Sequence, residues 1–235
     1  MNNPSSPAVA VIPVREGSQR VLDKNFRSFA GGKSLLELKI EQLRKEACFE
    51  EIFVSSDSAR AREVAERTSV GFLPRESRLC SANVRWSDVI SGVVASLPGD
   101  NPLVAWVHST SPLHTEYARP LSVFRKREGE CDSLVTVSAF QEFIVNKKGR
   151  PINYHWGVWH DYSQELDELY KVTGALFIAR KQDILQWRYL IGVKPHLYSV
   201  NRKSAVDIDT MEDFELAQLL YLDHRQQLRR PSLFL

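Results

Sequence analysis

The run of Ala, Val and Ile at residues 8–12 breaks at Pro13 into a polar loop. A short, uniformly apolar β-branched run of this kind suits a strand covered on both faces, as in a parallel sheet. The same design recurs down the chain. Residues 34–47 place Leu35, Leu36, Leu38, Ile40 and Leu43 at helical spacing after the turn-forming pair Gly31-Gly32. Residues 52–57 read as a second strand ending in Ser-Ser-Asp, 59–68 as a charged surface helix and 70–73 as a short third strand. Strand, helix, strand, helix, strand within some 70 residues predicts an α/β fold, doubly wound around a mostly parallel sheet. Ligands of such sheets bind beyond the carboxyl ends of the strands. Arg15, Asp57 and Arg75 all fall at such ends.

Further along, 86–97 reads as a helix, 103–107 as a buried central strand and 133–138 as another strand. A helix is expected from near Glu116, a strand at 174–179, and a helix at 181–187. An extended stretch at 205–214 closes the core and runs into a helix capped by Thr210, with Asp213 at the capping-box position. Between Phe140 and Lys171 the pattern changes. Phe143, Tyr154, Trp156, Trp159, Tyr162 and Tyr170 interleave with charges and turn residues, in a stretch too long for an ordinary connection. Residues 140–171 are therefore expected to form an inserted segment, either a lid or a subunit interface, with the interface preferred because exposed aromatics favour it. Residues 1–7 are expected to be a disordered lead-in to one domain spanning 8–235.

Three stretches carry candidate chemistry. Arg15, Arg20 and Lys24 surround the small residues Gly17 and Ser18, which let backbone N–H groups approach an anion while the cations neutralise a polyphosphate. The same residues also suit a solvated strand-to-helix turn. His108-Ser109-Thr110-Ser111-Pro112 places hydroxyls at a strand end, where they can meet a polar ligand or simply cap a helix. Asp207 and Asp209, two apart on an extended chain, project to one side. Two hard carboxylates leaving room for water and phosphate oxygens suit Mg²⁺, although aspartates near a helix N-terminus also occur for electrostatic reasons alone.

Composition removes other classes. There are 31 basic against 29 acidic residues, a net charge of +2 that leaves no nucleic-acid footprint. Cys48, Cys80 and Cys131 are odd in number and lack a Cys-x-x-Cys pair, which argues against a disulfide framework or zinc site and for a reducing compartment. No apolar run is long enough for a membrane helix. A soluble, cytoplasmic protein is the expectation.

In this order the pieces resemble the acylneuraminate (CMP-sialic acid) cytidylyltransferase family. The matching stretches are Ile12-Pro13-Val14-Arg15-Glu16-Gly17-Ser18, Asp23-Lys24-Asn25, Val54-Ser55-Ser56-Asp57, Leu73-Pro74-Arg75, Ser109-Thr110-Ser111-Pro112-Leu113, Gly174-Ala175-Leu176-Phe177-Ile178 and Val206-Asp207-Ile208-Asp209-Thr210. The resemblance implies an enzyme that joins CTP to a keto-sugar acid, giving a CMP-sugar and pyrophosphate with Mg²⁺, and a homodimer formed through the inserted segment. It implies that Arg15 and Lys24 hold the triphosphate, that Asn25 and Arg75 contact the base or sugar, and that Asp207 and Asp209 hold the metal. Acceptor contacts are implied for His108, Ser109, Thr110, Ser111, Thr173 and Gly174. Three departures stand out: His108-Ser109 where such enzymes carry Gln, Thr173 where they carry Asn, and Ser81-Ala82-Asn83-Val84-Arg85 in place of an Asp-Thr-Ala-Ser-Ser stretch. Two of them fall where the acceptor is expected, which points to an unusual nonulosonic or ulosonic acid. Competing readings are a nucleotidyltransferase for another acceptor and a nucleotide-binding homologue without turnover.

Overall fold

The computed structural model describes residues 7–81, 83–160 and 162–229, so all but Pro7 of the expected lead-in lies outside the described residues. Strand β1 (Ala8–Pro13) runs up the middle of a seven-stranded sheet. A hairpin of β2 (Ser28–Ala30) and β3 (Lys33–Ser34) follows, turned by Gly31 and Gly32 at φ of +61° and +78°. Then come α1 (Leu35–Glu46), β4 (Glu51–Ser56), α2 (Ala59–Arg67), β5 (Gly71–Pro74), α3 (Trp86–Ala95) and β6 (Leu103–Val107). The remainder is α4 (Ala118–Lys126), β7 (Ser133–Phe140), β8 (Leu169–Arg180), α5 (Lys181–Trp187), β9 (Pro195–Ser199) and α6 (Met211–Arg229).

The sheet order is β5-β4-β1-β6-β8-β7-β9. β5, β4, β1 and β6 are mutually parallel, β7 and β9 are parallel, and β8 runs against both neighbours, β6 and β7. The expected mostly parallel, doubly wound sheet is thus observed. The chain winds outward from β1 to β5 and then returns to β6 on the other side of β1, creating a switch point where a ligand crevice opens.

Alternation along β1 explains its burial on both sides. Ala8, Ala10 and Ile12 face a cluster with Leu36, Ile40, Leu43, Leu121 and Phe124, while Val9 and Val11 face Val89, Ile90, Val93 and Ile184. Helix ends are satisfied from the sequence nearby. Ser34 and Glu37 form a full capping box on α1, worth about 1 kcal/mol. The carboxylate of Glu46, at the far end of α1, accepts the Tyr117 and Ala118 N–H groups at 3.1 and 3.0 Å and so serves the start of α4. Thr210 and Asp213 bond reciprocally at the start of α6, as their spacing predicts.

Two expectations are corrected and three short strands are added. Residues 205–209 join no ladder of the sheet; they are a loop anchored by Ile208, which is fully buried with Phe29, Leu35, Leu38 and Phe214. β8 starts at Leu169, not 174, because β7 and β8 continue as paired arms beyond the sheet, leaving residues 141–168 as the excursion. The small hairpin β2–β3 and the edge strand β9 were not legible, being short and mixed in polarity. Among the described residues no helix is long and apolar enough to cross a membrane.

Candidate active site

A cleft of about 410 Å³ opens at the switch point, beyond the carboxyl ends of β1, β5 and β6. Arg15, Ser18, Lys24, Asn25, Arg75, His108, Ser109, Thr110, Asp207 and Asp209 all line it. Residues far apart in sequence therefore converge on one site.

At one end the loop after β1 meets the loop before α6. Lys24 Nζ donates to the Ile208 carbonyl at 2.5 Å and lies 3.7 Å from Asp209 Oδ1. Ile208 N–H in turn donates to the Thr110 carbonyl at 2.9 Å, so burying Ile208 fixes the two aspartates that flank it. Asp207 is half-buried. Burial pushes its carboxyl above the ordinary value against the opposing pull of a Thr110 hydroxyl bond, and Asp209 adds a smaller upward push. Its Oδ1 is buried with no hydrogen-bond partner. Asp209 is exposed and paired with Arg20 at 2.8 Å. Such a surface pair contributes about 0–1 kcal/mol and is readily exchanged for another cation.

Asn25 ties the two central loops together. Its Oδ1 accepts the Ser109 hydroxyl at 2.7 Å, and its Nδ2 donates to the Arg15 carbonyl at 3.3 Å. Arg75 is buried, donates to the Val14 carbonyl, and points Nε at Cys80 Sγ, 2.9 Å away. Burial raises the Cys80 thiol pKa, so it stands as a thiol rather than a thiolate.

The loop after β6 hangs from α1. Lys39, with no exposed surface, donates to the carbonyls of Ser111 and His114 at 2.8 and 3.0 Å and to the Tyr117 hydroxyl at 2.6 Å. Gln42 donates to the Pro112 carbonyl at 2.7 Å. Three oxygens thus use all three ammonium protons, although burial pushes the Lys39 pKa down to about 7.

Four expected contact residues lie off the cleft wall. Gly17 is exposed and turns its loop at φ +76°. Ser111 is buried under the loop, its carbonyl spent on Lys39. Thr173 is buried within the sheet, its hydroxyl 2.8 Å from that of Thr136. Gly174 sits behind His108, in the left-handed conformation at φ +73°. Sequence reading in turn missed the apolar wall of Leu79, Val84, Trp86 and Val89. A tryptophan at the start of an amphipathic helix was the available signal. Of the departing stretch 81–85, Ser81 and Val84 face the cleft and Ala82 lies outside the described residues.

A sequence profile described as cytidylyltransferase matches residues 9–234. The chain belongs to the cytidylyltransferase family. Among curated relatives, the N-acylneuraminate cytidylyltransferase of Streptococcus agalactiae is 24% identical over 213 residues, covering 88% of this chain and 51% of that one. The chain thus spans about half the length of the first curated relatives it matches. The pseudaminic acid cytidylyltransferase of Campylobacter jejuni is 25% identical over 225 residues, covering 91% of this chain and 95% of that one. Among solved structures, a CMP:2-keto-3-deoxy-manno-octonic acid synthetase complexed with CTP superposes with a TM-score of 0.69 at 16% identity, covering 93% of this chain and all of the other. That likeness establishes the cytidylyltransferase fold.

Proposed function

We propose that this cytidylyltransferase-family chain joins CTP to a keto-sugar acid, releasing pyrophosphate. The observation that carries the reading is the meeting of Arg15 and Lys24, from one loop, with Asp207 and Asp209, from another, at the switch-point cleft. Arg15, Ser18 and Lys24 hold the triphosphate, and Asn25 and Arg75 face the nucleoside. Phosphoryl transfer asks mainly for alignment and charge neutralisation, and these cations supply both as the anomeric hydroxyl attacks and pyrophosphate leaves.

The donor set fits Mg²⁺. Asp207 brings a buried carboxylate oxygen with no partner, and Asp209 a carboxylate held by an exchangeable ion pair. Two carboxylates suit an ion that keeps several waters and takes phosphate oxygens. Asp207 and Asp209 would hold the ion, which when bound neutralises phosphate charge and orients the triphosphate.

The relatives are named for N-acylneuraminic and pseudaminic acids, and a nonulosonic or ulosonic acid is the proposed acceptor here. His108 on the acceptor wall supports one other than N-acetylneuraminate. Trp156, Val158, Trp159 and Tyr162 on the excursion are each more than half exposed, which supports the homodimer reading of this segment. Three free cysteines fit a cytoplasmic setting.

The test is pyrophosphate release from CTP and Mg²⁺ across N-acetylneuraminic, pseudaminic and 3-deoxy-manno-octulosonic acids. Release with one of them supports the reading. CTP binding without release from any acid would make the chain a nucleotide-binding homologue, and equal or better turnover of N-acetylneuraminate would remove the unusual-acceptor proposal.

A further inference from the structure

Arg75 stands between two cavities. It lines the cleft and also a second cavity of about 450 Å³, bounded by α3, whose wall includes the carboxylates of Glu76 and Asp88. Only 9% of its surface is exposed, so the guanidinium needs acceptors within the fold. Nη2 donates to the Val14 carbonyl and Nε to Cys80 Sγ at 2.9 Å, while Nη1 has no partner among the described residues.

The chain around the thiol sets its place. Ser77–Leu79 form a single 3-10 turn, and the Cys80 N–H donates to the Ser77 carbonyl at 3.0 Å. Leu79 is buried against Gly92 of α3, where a Cβ would stand 2.5 Å from its Cδ1, so the turn is pinned to that helix. A thiol accepts at sulfur and donates its S–H at the same time. Burial foremost raises the Cys80 pKa against the opposing charge of Arg75, and a hydrogen bond to Asp57 adds to the rise. The proton therefore stays on sulfur, and the thiol links Arg75 on one side to Asp57 on the other. Without the sulfur, Nε loses its acceptor. Glu76 and Asp88, held only in surface pairs with Arg78 and Arg188, could then draw the guanidinium into the second cavity.

We propose that Cys80 is a positioning residue for Arg75, holding its guanidinium on the cleft side of the partition, with Asp57 in turn orienting the thiol. The inference rests on the proposed activity for the ligand of Arg75, the nucleoside of CTP. It gives a role to a cysteine outside any pair and to a strand-end aspartate that contacts no proposed substrate.

CTP affinity, measured by calorimetry without an acceptor, is the main readout. Cys80→Ala should raise the CTP Kd about five- to tenfold, and Cys80→Ser, which keeps both an acceptor and a donor, should return it to within about twofold. Arg75→Ala should cost more, and adding Cys80→Ala to it should change the Kd by less than twofold, because the thiol acts only through Arg75. Asp57→Ala should raise the Kd about threefold alone and not at all beside Cys80→Ala. An unchanged Kd in Cys80→Ala, or an undiminished effect of Cys80→Ala beside Arg75→Ala, overturns the positioning role. CTP binding without turnover of any acid removes the activity reading and leaves these comparisons intact. If the unaltered protein binds no CTP, the ligand assigned to Arg75 fails with that reading. The hold of the thiol on Arg75 is then judged from solvent exchange of the Arg75 Nε–H in NMR spectra, its signal identified by loss in Arg75→Lys. Exchange should be slow, faster in Cys80→Ala and slow again in Cys80→Ser; an unchanged rate in Cys80→Ala overturns the hold itself.

Discussion

The two ends of the cleft are built on opposite principles. The end proposed for the phosphates is made of loops, with Arg20 and Asp209 exposed in a surface pair, Lys24 largely buried beside them and one half-buried carboxylate. The end proposed for the acceptor is made of the sheet itself: aromatic rings, a neutral histidine and, behind it, a glycine at a ladder irregularity. Charges on loops can follow a flexible triphosphate and a hydrated ion, whereas a rigid neutral wall discriminates among sugars by fixed hydrogen bonds. On the proposed reading, affinity for the common substrate and choice of the variable one fall to separate materials.

Mutations should separate the two ends by what they change. Asp207→Asn should lower pyrophosphate release about 100- to 1,000-fold in a continuous assay while leaving the melting temperature unchanged or raised, since a costly buried charge is lost. Lys39→Met should cost about 3 kcal/mol in urea unfolding, because it strands oxygens in the interior, and should raise the sugar KM more than the CTP KM. A larger effect on CTP would break the division drawn above.

Acid should act through the buried rings of His108 and His114 on the loop after β6. Burial lowers the His108 pKa to about 4 and that of His114 to about 3, while both titrate near the ordinary 6.5 when unfolded. The unfolded chain therefore binds more protons below pH 6.5, and stability falls as pH drops from 6.5 toward 4, by about 2 kcal/mol per ring at pH 5. His114→Phe should flatten that limb in pH-dependent unfolding without changing CTP affinity. The smallest effect is expected from Arg20→Ala: under 1 kcal/mol in stability and only a few-fold in the Mg²⁺ dependence of turnover, since its pair with Asp209 is a surface one.

The same division decides what could be read from the sequence. Arg15, Lys24, Asp207 and Asp209 were legible because charge beside small residues at strand ends carries its chemistry in the residue type. The strands β1, β4 and β6 were legible from apolar runs that must be covered on both faces. Trp106 was not distinguishable from any core residue, because the direction of its one N–H depends on the packed sheet. Thr173 and Gly174 were assigned to direct contact with the sugar. In the structure Thr173 is bonded to Thr136 inside the sheet and Gly174 lies at a register shift that no local pattern announces. Lys39 sat in a helix that reads as amphipathic, and nothing in that spacing says an ammonium would be buried among three oxygens.

The reversed direction of β8 makes the molecule separable in an unusual way. The excursion carries Lys147 and Lys148 in an exposed turn, where a protease such as trypsin can cut. A cut there leaves one piece with β1 through β7 and another with β8 and β9, yet β8 lies between β6 and β7 and is bonded to both. The pieces interleave like the fingers of two hands, and the nicked protein should stay whole until denatured. Because one piece carries Arg15, Lys24 and His108 and the other Gly174, Asp207 and Asp209, complementation of two separately made fragments would report its own success as recovered turnover.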